Sequence, residues 1–202
     1  MRIKAFVVID TNVLVSALLS HSEAPFRVVE LVKSGNIIPI FDKRILKEYY
    51  EVFQYDKFKS EKHLISEEIS KDLLYTIVKN GIFINDVEKI KDEFYNIMND
   101  KKDIPFFEVK ESSYEFNSML VTGNVKHYAI PNDSSIVNSK ELLNIMNQME
   151  RFVKIDIDYE SVVIQLIKEN LDTPKYTDGD DLLDDIFEGD NDISIKHSYF
   201  KI

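Results

Sequence analysis

The feature that most constrains this chain is the run "FVVIDTNVLVSALL", residues 6–19. Residues 5–9, "AFVVI", are apolar without interruption and rich in β-branched and aromatic side chains. A strand with one wet face alternates apolar with polar residues, so an unbroken run of this kind predicts a strand covered on both faces, as in a parallel sheet. The run then meets Asp10, Thr11 and Asn12, and apolar residues resume at once. In an open parallel sheet, ligands bind outside the carboxyl ends of the strands, and Asp10 stands where this strand should end. Asp10, Thr11 or Asn12 can equally cap the helix that follows. The two readings are compatible, because a carboxylate can hold a cation while its neighbours cap the helix.

The rest of the chain alternates in the same way. Helical patterns are expected at about 13–20 and 25–34, the second with Pro25 near its start and Gly35 beyond its end. "NIIPIF" (36–41) reads as a strand, 43–54 as a helix, and 66–79 as a helix closed by Asn80 and Gly81. A short strand at 82–85, a weak helix at 88–98 and a helix beginning at Pro105 come next. "SMLVTG" (118–123) is a strand, and "SIVNSKELLNIM" gives a strand running into a helix, with Asn138 and Glu141 at capping-box spacing. Strands separated by helices imply an α/β fold with a parallel sheet and helices on its faces.

Composition bounds what such a sheet can do. The chain has 202 residues, 44% of them apolar, enough for one domain with an extension. It contains no cysteine, which removes disulfides and thiolate metal sites. No stretch of eighteen apolar residues exists and the N-terminal run is too short for a signal peptide, so a cytoplasmic protein without a membrane partner is expected. With 5 glycines and no glycine-rich phosphate loop after the first strand, nucleotide-cradling folds are disfavoured. A D-x-D phosphohydrolase motif is missing too, since Asn12 holds its second position.

The net charge of −11 is unevenly spread. Residues 151–202 hold 6 Lys and Arg against 13 Asp and Glu, and "DGDDLLDDIFEGDND" (178–192) carries no base. This shift sets an expected boundary near 150, between a domain at 1–150 and an acidic C-terminal extension at 151–202 with one helix. In that extension "YESVVIQLIKENL" (159–171) has an apolar stripe at helical spacing that needs a partner surface, and a homodimer is expected.

Four segments in order, "VVIDTNVLVSALL", "ILKEYYEVF" (45–53), "NDKKDIPFFEV" (99–109) and "MLVTGNVKHY" (119–128), resemble the PIN-domain ribonucleases, and within them the toxin components of bacterial toxin-antitoxin systems. The resemblance spans about residues 3–147. It implies a three-layer α/β/α sandwich around a mainly parallel sheet, and cleavage of RNA with Mg²⁺ or Mn²⁺. A protein antitoxin is the implied partner. Carried over by position, Asp10, Glu48 and Asp103 are the implied catalytic and metal-holding acids. The family's fourth acid falls on Asn124, and a neutral amide is a weaker ligand than a carboxylate for a hard cation. Asp100 is a further candidate ligand, with Asn12 and Thr122 as residues that orient the ligands by hydrogen bonds.

The chemistry suits the residues. Phosphodiester hydrolysis brings water to a centre ringed by negative oxygens, and a divalent cation both activates the water and screens the charge. Mg²⁺ accepts carboxylates gathered from distant segments while keeping several waters. Candidate RNA contacts are Lys101, Lys102, Lys126 and His127, which flank these acids, and Lys57 and Lys59 further away. With no second histidine near His127, zinc is disfavoured. Each acid also has a plainer reading: Glu48 as a solvated helix residue, Asp103 as a cap for the helix at Pro105, Asp100 as a loop aspartate. Two other classes stay open, a PIN-like binding module with weakened catalysis and a receiver-like phospho-acceptor domain, although the latter usually pairs two acids after its first strand.

Overall fold

The computed structural model describes residues 3–20, 23–55, 66–91, 94–95, 98, 100–128 and 133–152. The elements follow in the order β1 (Ala5–Ile9), α1 (Thr11–Ser20), α2 (Glu23–Lys33), β2 (Ile37–Phe41), α3 (Lys43–Phe53), α4 (Glu67–Asn80), β3 (Ile82–Phe83), α5 (Ile104–Ser112), β4 (Met119–Val121), β5 (Ile136–Val137) and α6 (Ser139–Phe152). Short 3₁₀ turns stand before α5 at Lys101–Asp103, after it at Tyr114–Phe116, and after β4 at Val125–Tyr128. The extension beyond Phe152, with its acidic run and expected helix, lies outside the described residues, as do Lys57 and Lys59.

Among the described residues the sheet has five strands in the order β3-β2-β1-β4-β5, and every pairing is parallel. All five residues of β1 are buried. Side chains alternate between the two faces of a strand, so this pattern requires cover on both faces, as the unbroken apolar run implied. Helix α5 lies against β1, β2 and β4, and α2 packs on β2 and against α1, α4 and α6. From β1 the chain winds outward to β2 and β3, then returns past β1 to start β4 on its other side. The gap between the carboxyl ends of β1 and β4 is therefore the point where strand order reverses, the usual ligand crevice of such sheets.

Local chemistry sets the helix ends. Helix α2 closes on Gly35, whose φ of +71° suits a residue without Cβ, while Gly35 N–H donates to the Val32 carbonyl at 3.0 Å and Asn36 N–H to Leu31 at 2.9 Å. Helix α3 starts at Asp42, whose carboxylate accepts from Ile45 N–H at 2.9 Å. The expected capping box of α6 is present: Asn138 N–H donates to Glu141 at 2.8 Å, and Glu141 N–H returns a bond to Asn138 Oδ1 at 3.0 Å.

Two expectations fail in part. The strand expected at 82–85 holds ladder geometry only at Ile82–Phe83. Of the weak helix expected at 88–98, residues 88–91 form no helix, whereas Phe94 and Tyr95 are helical. In 88–91, Glu88 N–H donates to Ser112 Oγ at 2.9 Å and Ile90 N–H to Glu108 Oε1 at 3.2 Å. These are among the first donors of a helix starting at 88, which have no i→i−4 acceptor of their own, and side chains of α5 take them instead.

Gly81 follows α4 for a reason of space. Its φ is an ordinary −107°, but a Cβ there would come within 2.5 Å of the Ile77 carbonyl oxygen, 2.6 Å of a Phe41 ring carbon and 2.8 Å of the Pro39 carbonyl oxygen. Two of these are backbone atoms that cannot swing away. Gly81→Ala is expected to lower unfolding free energy by about 1–3 kcal/mol through overpacking, read as a reduced urea midpoint at unchanged m-value.

Candidate functional site

Asp10 stands between β1 and α1 and is 4% exposed. Its Oδ1 accepts the Asn12 N–H at 3.1 Å, so it does cap α1. Its Oδ2 accepts from the Thr122 hydroxyl at 2.6 Å and from the Asn12 side-chain amide at 2.7 Å. Asn12 also accepts the Gly123 N–H on Oδ1 at 2.7 Å, and the fully buried Thr122 accepts the Asn124 N–H at 3.0 Å. Asp10 N–H donates to the Val121 carbonyl at 2.9 Å. The ends of β1 and β4, 112 residues apart, are thus locked together around one carboxylate. Burial pushes the Asp10 carboxyl up even though Thr122 and Asn12 stabilise its charge.

Glu48 is half-buried on α3. The Thr11 hydroxyl donates to its Oε1 at 2.8 Å, and the neighbouring Tyr49 hydroxyl donates to the Ile9 carbonyl, so α3 is pinned to the end of β1. Burial first, and then the charges of Asp10 and Asp103, push the Glu48 carboxyl up. These contacts distinguish it from a solvated helix glutamate.

Asp103 sits at the start of α5 and makes no side-chain capping bond. Its Oδ2 instead meets His127 Nδ1 at 3.2 Å. Burial, and then the charge of Asp10, raise its pKa to about 6, against the opposing pull of His127. Asp100 caps the preceding 3₁₀ turn through Lys102 N–H at 3.0 Å. Asp100, Asp103 and His127 offer ligand atoms within 4.8 Å of one another, a group that could hold a metal ion. His127 therefore faces the acids. Asn124 is exposed, and its carbonyl accepts the His127 N–H at 2.9 Å.

The basic residues divide. Lys102 is exposed, and its charge favours ionised Glu48. Lys101 turns the other way, with its ammonium on the Tyr95 carbonyl and 4.0 Å from the centre of the Tyr95 ring. Lys126 is exposed in the turn after Asn124. Arg44, not singled out in the sequence, joins the helices that carry the acids: its guanidinium donates to the α3 cap Asp42 at 2.6 Å and to buried Glu108 of α5 at 2.5 Å. Tyr128 is the other residue with no sequence signal. It is 1% exposed, and its hydroxyl has no hydrogen-bond partner among the described residues.

The arrangement gathers carboxylates from three segments, and no cationic side chain among the described residues is strong enough to relieve their burial. Each rests above its ordinary pKa. A site of this kind is suited to a divalent cation with oxygen ligands.

A PIN-domain family model matches residues 6–126. An uncharacterized protein of Methanocaldococcus jannaschii is 29% identical over 123 residues, which are 61% of this chain and 73% of that protein. A chain in the crystal structure of VapBC2 from Rickettsia felis bound to a DNA fragment from their promoter is 22% identical and has a TM-score of 0.43; the match covers 66% of this chain and 98% of that chain.

The raised Asp103 carboxyl links stability to pH. The folded protein holds this proton more tightly than the unfolded chain, so the contribution is greatest below about pH 4 and is lost as pH rises through about 6. Without added metal, Asp103→Asn is expected to be more stable than the wild type at pH 7, by about 1 kcal/mol, with the gap closing toward pH 4. Urea unfolding across that range measures both the sign and the trend.

Proposed function

Since the chain belongs to the PIN-domain family, whose model covers residues 6–126, we propose that it is a divalent-cation-dependent endoribonuclease. The observation that carries this reading is the convergence of Asp10, Glu48 and Asp103 at the reversal of strand order, each carboxyl raised by burial. These three residues would hold Mg²⁺ or Mn²⁺, and Asp100 and His127 stand close enough to Asp103 to join them. When bound, the cation supplies Lewis-acid activation of water and screens the phosphoryl charge.

The protein's own residues divide the remaining work. Asn12 and Thr122 fix the Asp10 carboxylate so that both oxygens keep their direction, and Thr11 does the same for Glu48. Lys102 and Lys126 are placed to meet backbone phosphates, which gives salt-dependent binding without reading sequence. Lys101 would first have to leave Tyr95. The segments at 6–19, 45–53, 99–109 and 119–128 resemble the toxin branch of the family, which supports a cytoplasmic toxin restrained by an antitoxin protein and acting as a homodimer. A second reading, a PIN-like module with weakened catalysis, draws on Asn124 in place of a fourth carboxylate.

Cleavage of single-stranded and structured RNA, with and without Mn²⁺, separates the two readings. Asp10→Ala and Asp103→Ala, checked as folded by circular dichroism, are expected to lower the cleavage rate by more than about a hundredfold, beyond the loss from removing only a ligand's outer partner. Wild-type rates in either variant would sink the site assignment, and no cleavage by the wild type at saturating Mn²⁺ would favour the binding module. Asn124→Asp adds a carboxylate and should shift the Mg²⁺ dependence of the rate to lower concentration. An unchanged dependence would mean that this position does not face the cation.

A further inference from the structure

Arg44 stands one turn before Glu48 on α3 and joins that helix to α5. Its Nε donates to Asp42 at 2.6 Å, and a terminal nitrogen donates to Glu108 at 2.5 Å. Both acids are buried, and each spends its other oxygen on backbone: Asp42 on Ile45 N–H at 2.9 Å, Glu108 on Ile90 N–H at 3.2 Å. The clamp is therefore held at both ends. A second contact crosses the same two helices, between the rings of Tyr49 and Phe106, whose centroids are 6.3 Å apart. On α5 this ring contact stands between Glu108 on one side and Asp103 on the other, while on α3 Tyr49 adjoins Glu48. Two helices joined at one point can pivot about it, and a pivot at Tyr49 and Phe106 would swing Asp103 relative to Glu48. Arg44 ties the helices on the far side of that pivot and stops the swing. Hydrogen bonds bring both acids to Asp10: Glu48 accepts from Thr11 at 2.8 Å, and Asp103 is linked through His127, Asn124 and Thr122. Stability alone does not call for such a clamp, because apolar packing of the same volume often serves as well as a buried ion pair; what the pair adds is direction.

We propose that Arg44 is a positioning residue that sets ion specificity: by clamping α3 to α5 it holds Glu48 and Asp103 at the separation that a small octahedral cation such as Mg²⁺ takes, against a larger one such as Ca²⁺. The inference rests on the cation reading above. Mg²⁺ requires near-ideal octahedral geometry with oxygens at about 2.0–2.1 Å, whereas Ca²⁺ accepts more oxygens, at about 2.3–2.6 Å, in flexible arrangements. Ligands on two rigidly joined helices favour the first ion, and ligands free to drift apart favour the second. The other tethers fix one partner each, Thr11 holding Glu48 to the end of β1 and His127 holding Asp103 toward β4. Arg44 relates the two helices to each other. A guanidinium suits this task because its planar fork donates in fixed directions, whereas an ammonium is a point charge on a flexible stem. Arg44 is poorly suited to contact RNA, since two carboxylates on one guanidinium leave the local charge negative and repel a phosphate backbone.

The test titrates Mg²⁺ and Ca²⁺ separately into the metal-free full-length protein, without RNA, by isothermal calorimetry. Arg44→Lys keeps a positive charge beside Glu108 but loses the fork, and Arg44→Gln combined with Glu108→Gln removes the clamp without stranding a buried Glu108 charge. In both variants Mg²⁺ binding is expected to weaken by about 10-fold, within the range for loss of a group behind the direct ligands. Ca²⁺ binding should weaken by clearly less, so that the ratio of Mg²⁺ to Ca²⁺ affinity falls. A clamp that served stability alone would lower the urea midpoint and leave this ratio unchanged, which would overturn the proposal. Unchanged Mg²⁺ affinity, an equal loss for the two ions, or failure of both variants to fold would overturn it as well; if one variant folds, its ratio decides. Absence of Mg²⁺ binding to the wild type would remove the cation reading itself and the inference with it.

Discussion

A carboxylate buried at the end of the central strand organises this molecule. Asp10 cannot be withdrawn from water without cost, and the fold answers with the Asn12 amide and backbone and the Thr122 hydroxyl, all within 3.1 Å. Satisfying one side chain in this way joins the carboxyl ends of β1 and β4, the two strands between which the order reverses. Hydrogen bonding does not fully offset burial, and the carboxyl remains raised. The residual penalty is the electrostatic demand that a cation would meet.

The two outlying acids are held to the same point by different means. Glu48 is tethered through Thr11 and through Tyr49 beneath it, which ties the register of α3 to the last residue of β1. Asp103 is carried by the turn that starts α5, and α5 lies against β1, β2 and β4. Arg44 then links the N-terminal end of α3 to the body of α5 through Asp42 and Glu108. Glu108 is buried and spends its second oxygen on Ile90 N–H, so the guanidinium is what makes its charge tolerable. The distance between the elements bearing Glu48 and Asp103 is therefore maintained by an ion pair outside the candidate centre. Stability and site chemistry oppose one another here: the charge of Asp10 that raises Glu48 and Asp103 weakens the metal-free fold, and the same crowding is of the kind that suits a divalent ion.

The elements read from periodicity and capping were those whose local chemistry and tertiary surroundings agree. β1 is legible because five consecutive apolar residues admit few alternatives, α3 and α6 because their apolar stripes begin at capping residues. The course of 88–91 is not legible in the sequence, because its Glu88 and Ile90 N–H groups bond Ser112 and Glu108, residues of another element. No local pattern encodes that. Glu48 was recognisable only through its resemblance to a family segment, since its own surroundings in sequence suit a solvated helix face.

What the sequence determined by itself is the alternation of strand and helix, the burial of the central strand on both faces, and a carboxylate at that strand's end. These follow from side-chain period, backbone donors and apolar content, which are local or summed along the chain. Tertiary structure alone decided that Thr122 and Asn12 share Asp10, that His127 meets Asp103, that Lys101 turns away to Tyr95, and that Tyr128 is buried with no hydrogen-bond partner for its hydroxyl among the described residues. Each of these is a contact between side chains whose directions are set only when the strands pair and the helices dock. Charge strength at the site is likewise a tertiary property, because burial raises Asp10, Glu48 and Asp103, and the nearness of other carboxylates raises Glu48 and Asp103 further.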